Sequence, residues 1–459
     1  MPRADQCLTV AAIALLCVAC ASPTVKERSG PAETAPAIVA ARGALSESGG
    51  ERLVASRLDA DQDDPHVREL IASVRVQADA PLVAGNHITL LIDGPQTLAA
   101  MRKAIAAAKH HVHLETYIFA DDAVGREMRD LLIQRHREGI QVRVIYDAVG
   151  SLTTAGAFFD AMRDAGVEVR EFRPLDPVRT PAPWKVNNRD HRKILVVDGR
   201  TAFTGGINIS STYASSSLRK PGPEKGRDES WRDTHVQIDG PVAAQFQSLF
   251  LATWTRAGGN LDTKAAEFFP PIPAAGGELV AAVSVDGGNY KKTPIYGTYL
   301  ASIRHATQRI WLTNAYFAPN KELRTALIAA VKRGVDVRLI VPGFTDSGLI
   351  LYASRSSYDE LLAGGVRMYE QPYALLHAKT AVIDTALSMV GSANLDMRSF
   401  LHNNEVNAVV VGSAFARQLE QLFERDLQNT RELELQQWRK RSLGEKLKEV
   451  GSSLFSYWL

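Results

Sequence analysis

The sequence has very few cysteines, and all of them lie near its start. Cys7, Cys17 and Cys20 are the three cysteines in 459 residues. Everything that follows Cys20 therefore lacks the thiols needed for a disulfide framework, a cysteine-ligated zinc cluster or a thiol nucleophile. The lack of thiols is compatible with an oxidising compartment, where free thiol groups are a liability.

A large net charge is also lacking. The chain carries 53 basic and 51 acidic residues, which leaves a formal charge of +2 at neutral pH. No strong electrostatic field points to a polyanion, so we expect no nucleic acid partner. With 45% hydrophobic and 23% charged residues the chain is typical of a globular protein, and its length suits two domains with buried cores.

The apolar run near the start, Leu8 to Ala19, is shorter than the ~20 apolar residues of a membrane-spanning helix. It follows a basic residue and precedes Cys20, which is the three-part layout of an export signal. The run resembles a bacterial lipoprotein signal, in which Cys20 would be lipid-modified. Ala19 and Ala21 would equally suit ordinary signal peptidase and a soluble secreted product. We predict a signal over residues 1–20 and an exported, membrane-associated protein at the periplasmic face, with a lipoprotein favoured.

The composition changes after this signal. From Ala21 to about Ala60 the chain is rich in Ala, Ser, Pro, Gly and Glu and has no sustained period. Such a composition is typical of a flexible tether. We therefore predict a flexible leader over residues 21–85, which either holds a folded body away from a membrane or has no role.

The next part of the chain contains a repeat. The apolar segment Val112 to Ala120 has a counterpart in Ile310 to Ala318, and a helical pattern follows each of them. Each helical pattern ends at a glycine and precedes a β-branched run, Val142 to Ile145 in the first copy and Val337 to Ile340 in the second. The repeat predicts that one structural unit occurs twice.

Strands that alternate with helices predict an α/β fold, in which parallel-rich sheets carry helices on their faces. We assign residues 86–270 to the first half and residues 271–430 to the second. If the two halves pack around a pseudo-twofold axis, each contributes its functional residues to one shared active site. No further oligomer is required for that site.

Each half contains one copy of the pattern His-x-Lys-x4-Asp, and each copy is followed by Gly-x-x-Asn. The two copies are His191, Lys193 and Asp198, and His377, Lys379 and Asp384. Alternate residues of a strand face the same side, so each histidine and its lysine are expected to point into one space. Two copies with identical spacing inside a repeat are improbable by chance.

These residue types suit the cleavage of a phosphodiester. The substrate is an anion with a poor leaving group, so its attack needs charge neutralisation, a nucleophile and an acid. One neutral histidine can attack while the other, protonated, donates to the leaving oxygen. The lysines, with Asn208 and Asn394, would bind the non-bridging oxygens. A lysine beside each histidine argues against a metal ligand, so we predict no metal and no cofactor.

Several polar residues are predicted to support this chemistry. Asp198 and Asp384 are expected to order a turn or pair with a basic side chain. Asp233 and Glu405 either hold a histidine in one tautomer or are ordinary surface acids. Ser392 has a glycine as its counterpart in the first copy, so the halves offer phosphate unequal sets of hydrogen bonds.

The paired motifs resemble those of the phospholipase D superfamily, and the resemblance covers roughly residues 90–426. More narrowly, the segments Arg189 to Gly199, Gly205 to Asn208, Trp231 to His235 and Gly391 to Phe400 look like those of bacterial cardiolipin synthases. The resemblance implies a duplicated phospholipase D-type α/β sandwich whose two pseudo-twofold-related halves share one active site. It also implies a phosphatidyltransferase that acts on phospholipids at a membrane surface.

The family's reaction implies specific roles. Phosphatidylglycerol would donate its phosphatidyl group to His191, and a second phosphatidylglycerol would accept it to give cardiolipin. His377 would be the acid of the first step and the base of the second, as microscopic reversibility demands. Housekeeping members carry two transmembrane helices before the catalytic body, whereas an export signal stands here, which leaves donor and acceptor open. The alternatives are a hydrolytic phospholipase D, which forms phosphatidic acid, and an exported phosphodiesterase or nuclease.

The C-terminal residues 431–459 predict a basic amphipathic helix. Its apolar positions recur at helical spacing, and five basic residues lie among them. The apolar positions are Leu443, Leu447, Val450, Leu454 and Trp458. Such a helix would lie in a lipid interface or cap the core.

Overall fold

In the computed structural model, which describes residues 35–60, 64–176, 187–217, 230–260 and 265–455, the same order of strands and helices occurs twice. Short elements precede the first copy: strands β1 (Val39–Ala40) and β2 (Gly43–Ala44) and helices α1 (Glu47–Ala55) and α2 (Pro65–Ala78).

The first half contains eight strands and four helices among its described residues. They are β3 (Val83–Ile92), α3 (Asp93–Ala107), β4 (His111–Thr116), α4 (Ala123–Arg137), β5 (Gln141–Asp147), α5 (Gly156–Asp164), β6 (Glu168–Phe172), β7 (Ile194–Val197), β8 (Thr201–Gly205), β9 (Trp231–Arg232), β10 (Thr234–Asp239) and α6 (Ala243–Arg256).

The second half repeats this order with a few additions. Its elements are β11 (Glu278–Val285), α7 (Pro294–His305), β12 (Arg309–Asn314), β13 (Phe317–Ala318), α8 (Lys321–Lys332), β14 (Asp336–Pro342), α9 (Gly348–Arg355), α10 (Tyr358–Ala363), β15 (Arg367–Gln371), β16 (Leu375–Leu376), β17 (Lys379–Ile383), β18 (Leu387–Gly391), β19 (Leu395–Asp396), β20 (Glu405–Val411) and α11 (Ser413–Leu427). Strand β21 (Arg431–Glu432) and helices α12 (Leu435–Arg439) and α13 (Leu443–Ser453) follow.

The two sheets have the same strand order. In the first half it is β3-β10-β8-β7-β4-β5-β6, with β4, β5 and β6 parallel and the other pairs antiparallel. In the second half it is β11-β20-β18-β17-β12-β14-β15, with the same pattern of parallel and antiparallel pairs. Strands β3 and β11 pair antiparallel and join the sheets. The duplicated α/β fold predicted from the repeat is confirmed.

One core lies between the inner faces of the two sheets. Ile194 and Val196 of β7 belong to it, together with residues of the second half's sheet such as Val382 and Val406. Leu195 lies on the other face of β7, in a second core formed with the helices of the first half. This alternation follows from the period of two in a strand. Burial on both faces explains why these strands are apolar throughout.

The helix ends follow from the predicted glycines. Gly139 comes two residues after α4 and Gly334 two residues after α8, and each has a φ of +91°. A side chain in this left-handed region would clash with its own backbone, so glycine ends the helix at little cost. Equivalent strands, β5 and β14, then start at equivalent places.

The prediction of a flexible leader over residues 21–85 is wrong for the described residues 35–60 and 64–85. Helix α2 buries Val67, Leu70, Ile71 and Val74, and it packs against α7 in the core of the second half. These four positions follow the i, i+3, i+4, i+7 spacing of one helix face. The prediction was based on the composition, which is dominated by polar and small residues and does not show this spacing. The export signal, Cys20 and the rest of the leader lie outside the described residues.

The C-terminal segment is not one helix. Strand β21 pairs with β15, and the two helices α12 and α13 are separate. Trp458 lies outside the described residues. Among the helices of the described ranges, none has the length and apolar character needed to cross a membrane.

Candidate active site

The two histidines lie where the parallel strands of each sheet end. Ile194, at the start of β7, pairs with Glu115 near the end of β4, and Lys379 pairs with Asn314 at the end of β12. His191 comes just before β7 and His377 just before β17. Both motifs therefore lie at the carboxyl edge of the parallel strands, where α/β proteins place their ligands.

The backbone of each histidine is bound to the opposite half. The His191 amide donates to the Asn404 carbonyl at 3.0 Å, and the His377 amide donates to the Arg232 carbonyl at 2.8 Å. Strand β7 begins at Ile194, so His191 and Lys193 precede it, although the sequence predicts that they belong to a strand. The halves thus hold one another's motif segments in place.

The carboxylates that hold the histidines are also exchanged between the halves. Glu405 of the second half contacts Nδ1 of His191 at 3.0 Å, and Asp233 of the first half contacts Nδ1 of His377 at 2.8 Å. Both carboxylates are completely buried. Because Nδ1 is engaged in each ring, Nε2 is the nitrogen available for chemistry. The sequence left the role of both acids open, and the geometry makes them orienting groups.

The two lysines are buried beside their histidines. The ammonium of Lys193 donates to the His191 carbonyl at 2.7 Å, and that of Lys379 donates to the His377 carbonyl. Burial lowers the pKa of Lys193 to about 7 and that of Lys379 to about 8, although the negative charges of Glu405 and Asp233 raise both pKa values. An anion between the lysines would favour their charged forms.

The pKa of both histidines is lowered, but to different degrees. Burial and the charges of Lys193 and Lys379 hold the pKa of His191 well below its usual value. Burial and Lys379 also lower the pKa of His377, while the carboxylate of Asp233 opposes that shift. Each histidine is affected by a lysine of the other half, so both motifs act on one space.

The two orienting carboxylates differ in charge state. Burial raises the pKa of Glu405 to about 7, although Lys193 favours its ionised form. Burial alone would raise the pKa of Asp233, but His377 holds it below its ordinary value. Asp233 therefore carries a full charge near neutral pH, and Glu405 only part of one. His377 has the partner that better stabilises an imidazolium.

The sequence difference between Ser392 and Gly206 has a steric cause. The Ser392 hydroxyl donates to Glu405 at 2.6 Å. At Gly206 a Cβ would lie 2.2 Å from Asp233, so a serine has no space there. Ser392 therefore binds an orienting carboxylate, and the predicted direct contact with phosphate is a less suitable role for it.

The two asparagines are placed differently. The Asn208 side chain accepts from the Ile118 amide at 3.1 Å and donates to the Tyr213 hydroxyl at 2.9 Å. The side chain that is predicted to bind a non-bridging phosphate oxygen is thus already partly used in hydrogen bonds within the protein. Asn394 is buried, and its Oδ1 has no hydrogen-bond partner among the described residues. Asn394 is the asparagine whose amide can turn toward a ligand.

The motif aspartates lie away from the histidines and bind backbone amides. Asp198 accepts from the amides of Lys109, His110 and His111 at 2.8–3.0 Å. Asp384 accepts from the equivalent turn before β12, whose amides are those of residues 307–309. Each aspartate thus fixes the turn that starts the strand beside its motif, without contact with the reacting groups.

Replacing Asp198 by alanine should destabilise the fold without a direct effect on the chemistry. Three backbone amides, of which that of His111 is part-buried, lose a charged acceptor, which we expect to cost about 1–3 kcal/mol. Urea unfolding measures this loss as a lower midpoint. Asp164→Asn, at an exposed position, is the matched control and should leave the midpoint unchanged. An equally stable Asp198→Ala variant would contradict this role.

Aromatic rings that the sequence did not single out line the site. The Tyr117 ring is 5.0 Å from that of His191. The rings of Trp231, Tyr213 and Tyr316 are 5.3, 5.9 and 6.3 Å from that of His377. Two of these residues could have been found from the sequence. Tyr117 lies in the repeated strand segment, and Trp231 lies two residues before Asp233. They form the walls around the two imidazoles.

Arg192 is a further residue that was missed. Its fully buried guanidinium donates to the Glu405 carbonyl at 3.2 Å, to the Val285 carbonyl at 2.9 Å and to Asp286 at 2.7 Å. It thus connects the first motif to two strands of the second half. Ala378 occupies the same position in the second motif. Among the described residues, no group of three or more His, Cys, Asp or Glu side chains could hold a metal ion.

The chain is similar to known proteins in sequence and in fold. Residues 101–218 and 299–427, which contain one motif each, match the family model described as cardiolipin synthase, PLD-like domain. The chain is 36% identical over 371 residues to the probable cardiolipin synthase YwiE of Bacillus subtilis strain 168, across 81% of this chain and 72% of that protein. The cardiolipin synthase of Geobacillus thermodenitrificans strain NG80-2 is 35% identical over 396 residues, across 85% of this chain and 76% of that protein.

A solved structure has a similar fold. A phosphatidylserine synthase of Haemophilus influenzae Rd KW20 aligns with a TM-score of 0.64 over 85% of this chain and 100% of that chain, at 15% identity. At this identity the likeness concerns the fold alone.

Proposed function

The chain belongs to the cardiolipin synthase family of phospholipase D-like phosphatidyltransferases, and we propose that it makes cardiolipin from two molecules of phosphatidylglycerol. The observation that carries this proposal is the exchange of carboxylates, which places two oriented histidines in one space: Glu405 on His191 and Asp233 on His377. Such a pair can take up a phosphoryl group and return it without any other catalyst.

In the first step His191 is the nucleophile. Its Nε2 attacks the phosphorus, and the bond from phosphorus to the glycerol head group breaks. His377 donates its Nε2 proton to the leaving oxygen, so that glycerol departs and a phosphatidyl-histidine remains. Lys193 and Lys379 stabilise the charge on the non-bridging oxygens.

In the second step the roles reverse. The neutral His377 accepts the proton from a hydroxyl of the second phosphatidylglycerol, whose oxygen attacks the phosphorus. The bond from phosphorus to His191 breaks, and cardiolipin leaves. The different partners support this assignment: the strongly lowered pKa of His191 keeps the nucleophile neutral, and the ionised Asp233 stabilises His377 in its protonated state.

Phosphatidylglycerol vesicles provide the direct test. The purified chain should convert them to cardiolipin and one equivalent of glycerol, resolved by chromatography of the lipids. Phosphatidic acid as the sole product would mean that water is the acceptor and would replace this proposal with a hydrolytic one. Cleavage of DNA with no change in the lipids would contradict both.

The pH dependence should show a falling alkaline limb. Lys193 has lost its proton in about half of the molecules near pH 7, and Lys379 in about half near pH 8. Fewer molecules of free enzyme then carry the charges that bind the phosphodiester, so kcat/KM should decrease as the pH rises from 7 to 9. Competitive inhibition by inorganic phosphate should weaken in parallel. A flat kcat/KM over this range would contradict the lowered pKa values.

We also propose that the protein works on the exported side of a membrane as a lipoprotein modified at Cys20. This rests on the layout of residues 1–20. Cys20→Ser should move the protein from the membrane fraction toward the soluble fraction of the periplasm. Unchanged fractionation, together with an unmodified N-terminus by mass spectrometry, would contradict the lipoprotein assignment.

A further inference from the structure

Exposed apolar side chains occur in four segments around the histidines, of which three are loops and one is the start of α9. These segments follow β5 and β6 in the first half and β14 and β15 in the second, at the carboxyl edge that carries both motifs. Their apolar residues are 42–67% exposed: Leu152, Leu175, Leu349 and Tyr373. Because β5 corresponds to β14 and β6 to β15, the four residues form two pseudo-equivalent pairs. The repeat has thus placed apolar side chains at matching positions on both sides of one site.

These segments are bonded to the walls of the active site. Ser151, next to Leu152, donates its hydroxyl to the Tyr117 carbonyl at 3.2 Å, and the Tyr117 ring contacts His191. The second half has a different contact of this kind. The Tyr316 hydroxyl donates to Asp346 at 2.7 Å, three residues before Leu349, and its ring faces His377. The exposed side chains therefore border the mouth of the site.

The other two loops are connected in a similar way. Leu175 comes two residues after Arg173, whose carbonyl accepts from Arg189 at 2.8 Å, and Arg189 is two residues before His191. Tyr373 is four residues before His377 and its amide donates to Gln371, the last residue of β15. All four exposed residues are thus linked, through near neighbours in sequence and hydrogen bonds, to residues that line the site or precede a motif.

Helix α13 extends this apolar surface. Leu443, Leu447, Val450 and Leu454 are 56–79% exposed, and at about 100° per residue they fall within about 60° of one another. The opposite side of the helix buries Glu449 against the body. A surface helix normally buries its apolar stripe, so α13 has the reverse orientation.

Helix α13 packs along α9, the helix that begins beside the mouth. The Lys448 ammonium lies 5.3 Å from the Tyr352 ring of α9. A groove of about 420 Å³ separates the two helices and reaches Ala318 of β13, two residues after Tyr316. The stripe of α13 and the exposed Leu349 therefore lie on neighbouring helices.

Charge decides which occupant suits this surface. Residues 439–450 contain five basic side chains and two acidic ones, and Lys440 and Lys448 are exposed. An apolar stripe with basic flanks is suited to an anionic phospholipid surface. A second copy of the chain would bring the same positive segment against itself. A lipid surface also meets the loops of both halves at once, because it is flat and continuous.

We propose that Leu152, Leu175, Leu349 and Tyr373 and the exposed face of α13 form one lipid-docking rim, which holds the mouth of the active site against an anionic phospholipid surface. A phospholipid can then present its phosphodiester to His191 while its acyl chains remain in the bilayer. The benefit for turnover rests on the proposed function, whereas the docking itself does not.

The test compares two rim variants of the full chain with a matched control, all carrying Cys20→Ser so that lipidation does not contribute. One variant combines Leu447→Ser, Val450→Ser and Leu454→Ser, and the other combines Leu152→Ser and Leu349→Ser. The control is Phe269→Ser, an exposed apolar residue that adjoins Phe268, beside the turn between β7 and β8 at the opposite edge. Co-sedimentation is measured with vesicles of phosphatidylglycerol and phosphatidylcholine in equal parts.

Each rim variant should bind these vesicles about tenfold or more weaker than the control, since two or three apolar side chains no longer enter the interface. Their kcat/KM on vesicles should fall to the same extent, while turnover of monomeric short-chain phosphatidylglycerol stays within about twofold. Binding equal to the control would overturn the rim, as would variants that lose only self-association. If no phosphatidylglycerol is turned over, the proposed function fails, and the vesicle binding still tests the rim.

Discussion

Replacing His191 by alanine should reduce the turnover of phosphatidylglycerol by at least about 10⁴-fold, because the nucleophile of the proposed first step is lost. His377→Ala should lose a similar factor with this substrate, because the glycerol alkoxide then leaves without a proton. Both losses are measured as initial rates on vesicles. Their similar size would not distinguish the two roles.

An activated substrate separates the roles. With phosphatidyl-p-nitrophenol the leaving group is stable as an anion and needs no proton. His377→Ala should therefore release a burst of one nitrophenolate per active site and accumulate a phosphatidyl adduct on His191, since the base for the second step is missing. Stopped-flow absorbance and mass spectrometry of the adduct measure this. His191→Ala should give no burst, and the reverse pattern would make His377 the nucleophile.

The second large effect concerns the exchanged carboxylates. Asp233→Asn and Glu405→Gln should each reduce kcat by about 10²–10⁴-fold, since each leaves a histidine without the acceptor that fixes its tautomer. Asp233 contacts His377, so phosphatidyl-p-nitrophenol should restore the burst in Asp233→Asn. Glu405 contacts His191, the proposed nucleophile, so the same substrate should not restore the burst in Glu405→Gln.

A control identifies effects that are merely structural. The thermal midpoint of each variant should stay within a few degrees of the parent, because the amide replacements keep the size of the side chain. If the activated substrate restores Glu405→Gln and not Asp233→Asn, each carboxylate serves the histidine of its own half. That result would contradict the exchange.

Much of the fold was predictable because it depends on sequence patterns that are local in the chain. The repeated strands, the glycines after α4 and α8 and the spacing of the motifs lie within short windows, where steric and hydrogen-bonding rules act directly. The leader was mispredicted for a related reason. Its apolar residues Val67, Leu70, Ile71 and Val74 become a core only through contact with α7, more than 200 residues later, and composition contains no information about that contact.

The sequence by itself determined which chemistry we predict. Two histidines, each with a lysine two residues later, predict an anion site with a nucleophile and an acid, and the lack of cysteine after Cys20 excludes thiol chemistry there. Tertiary structure alone decided which carboxylate orients which histidine. Asp233 lies 42 positions after His191 in the chain and contacts His377, because the halves interlock. The contact between a carboxylate and the histidine of the other half depends on how distant strands pack, so the spacing of residues along the chain does not predict it.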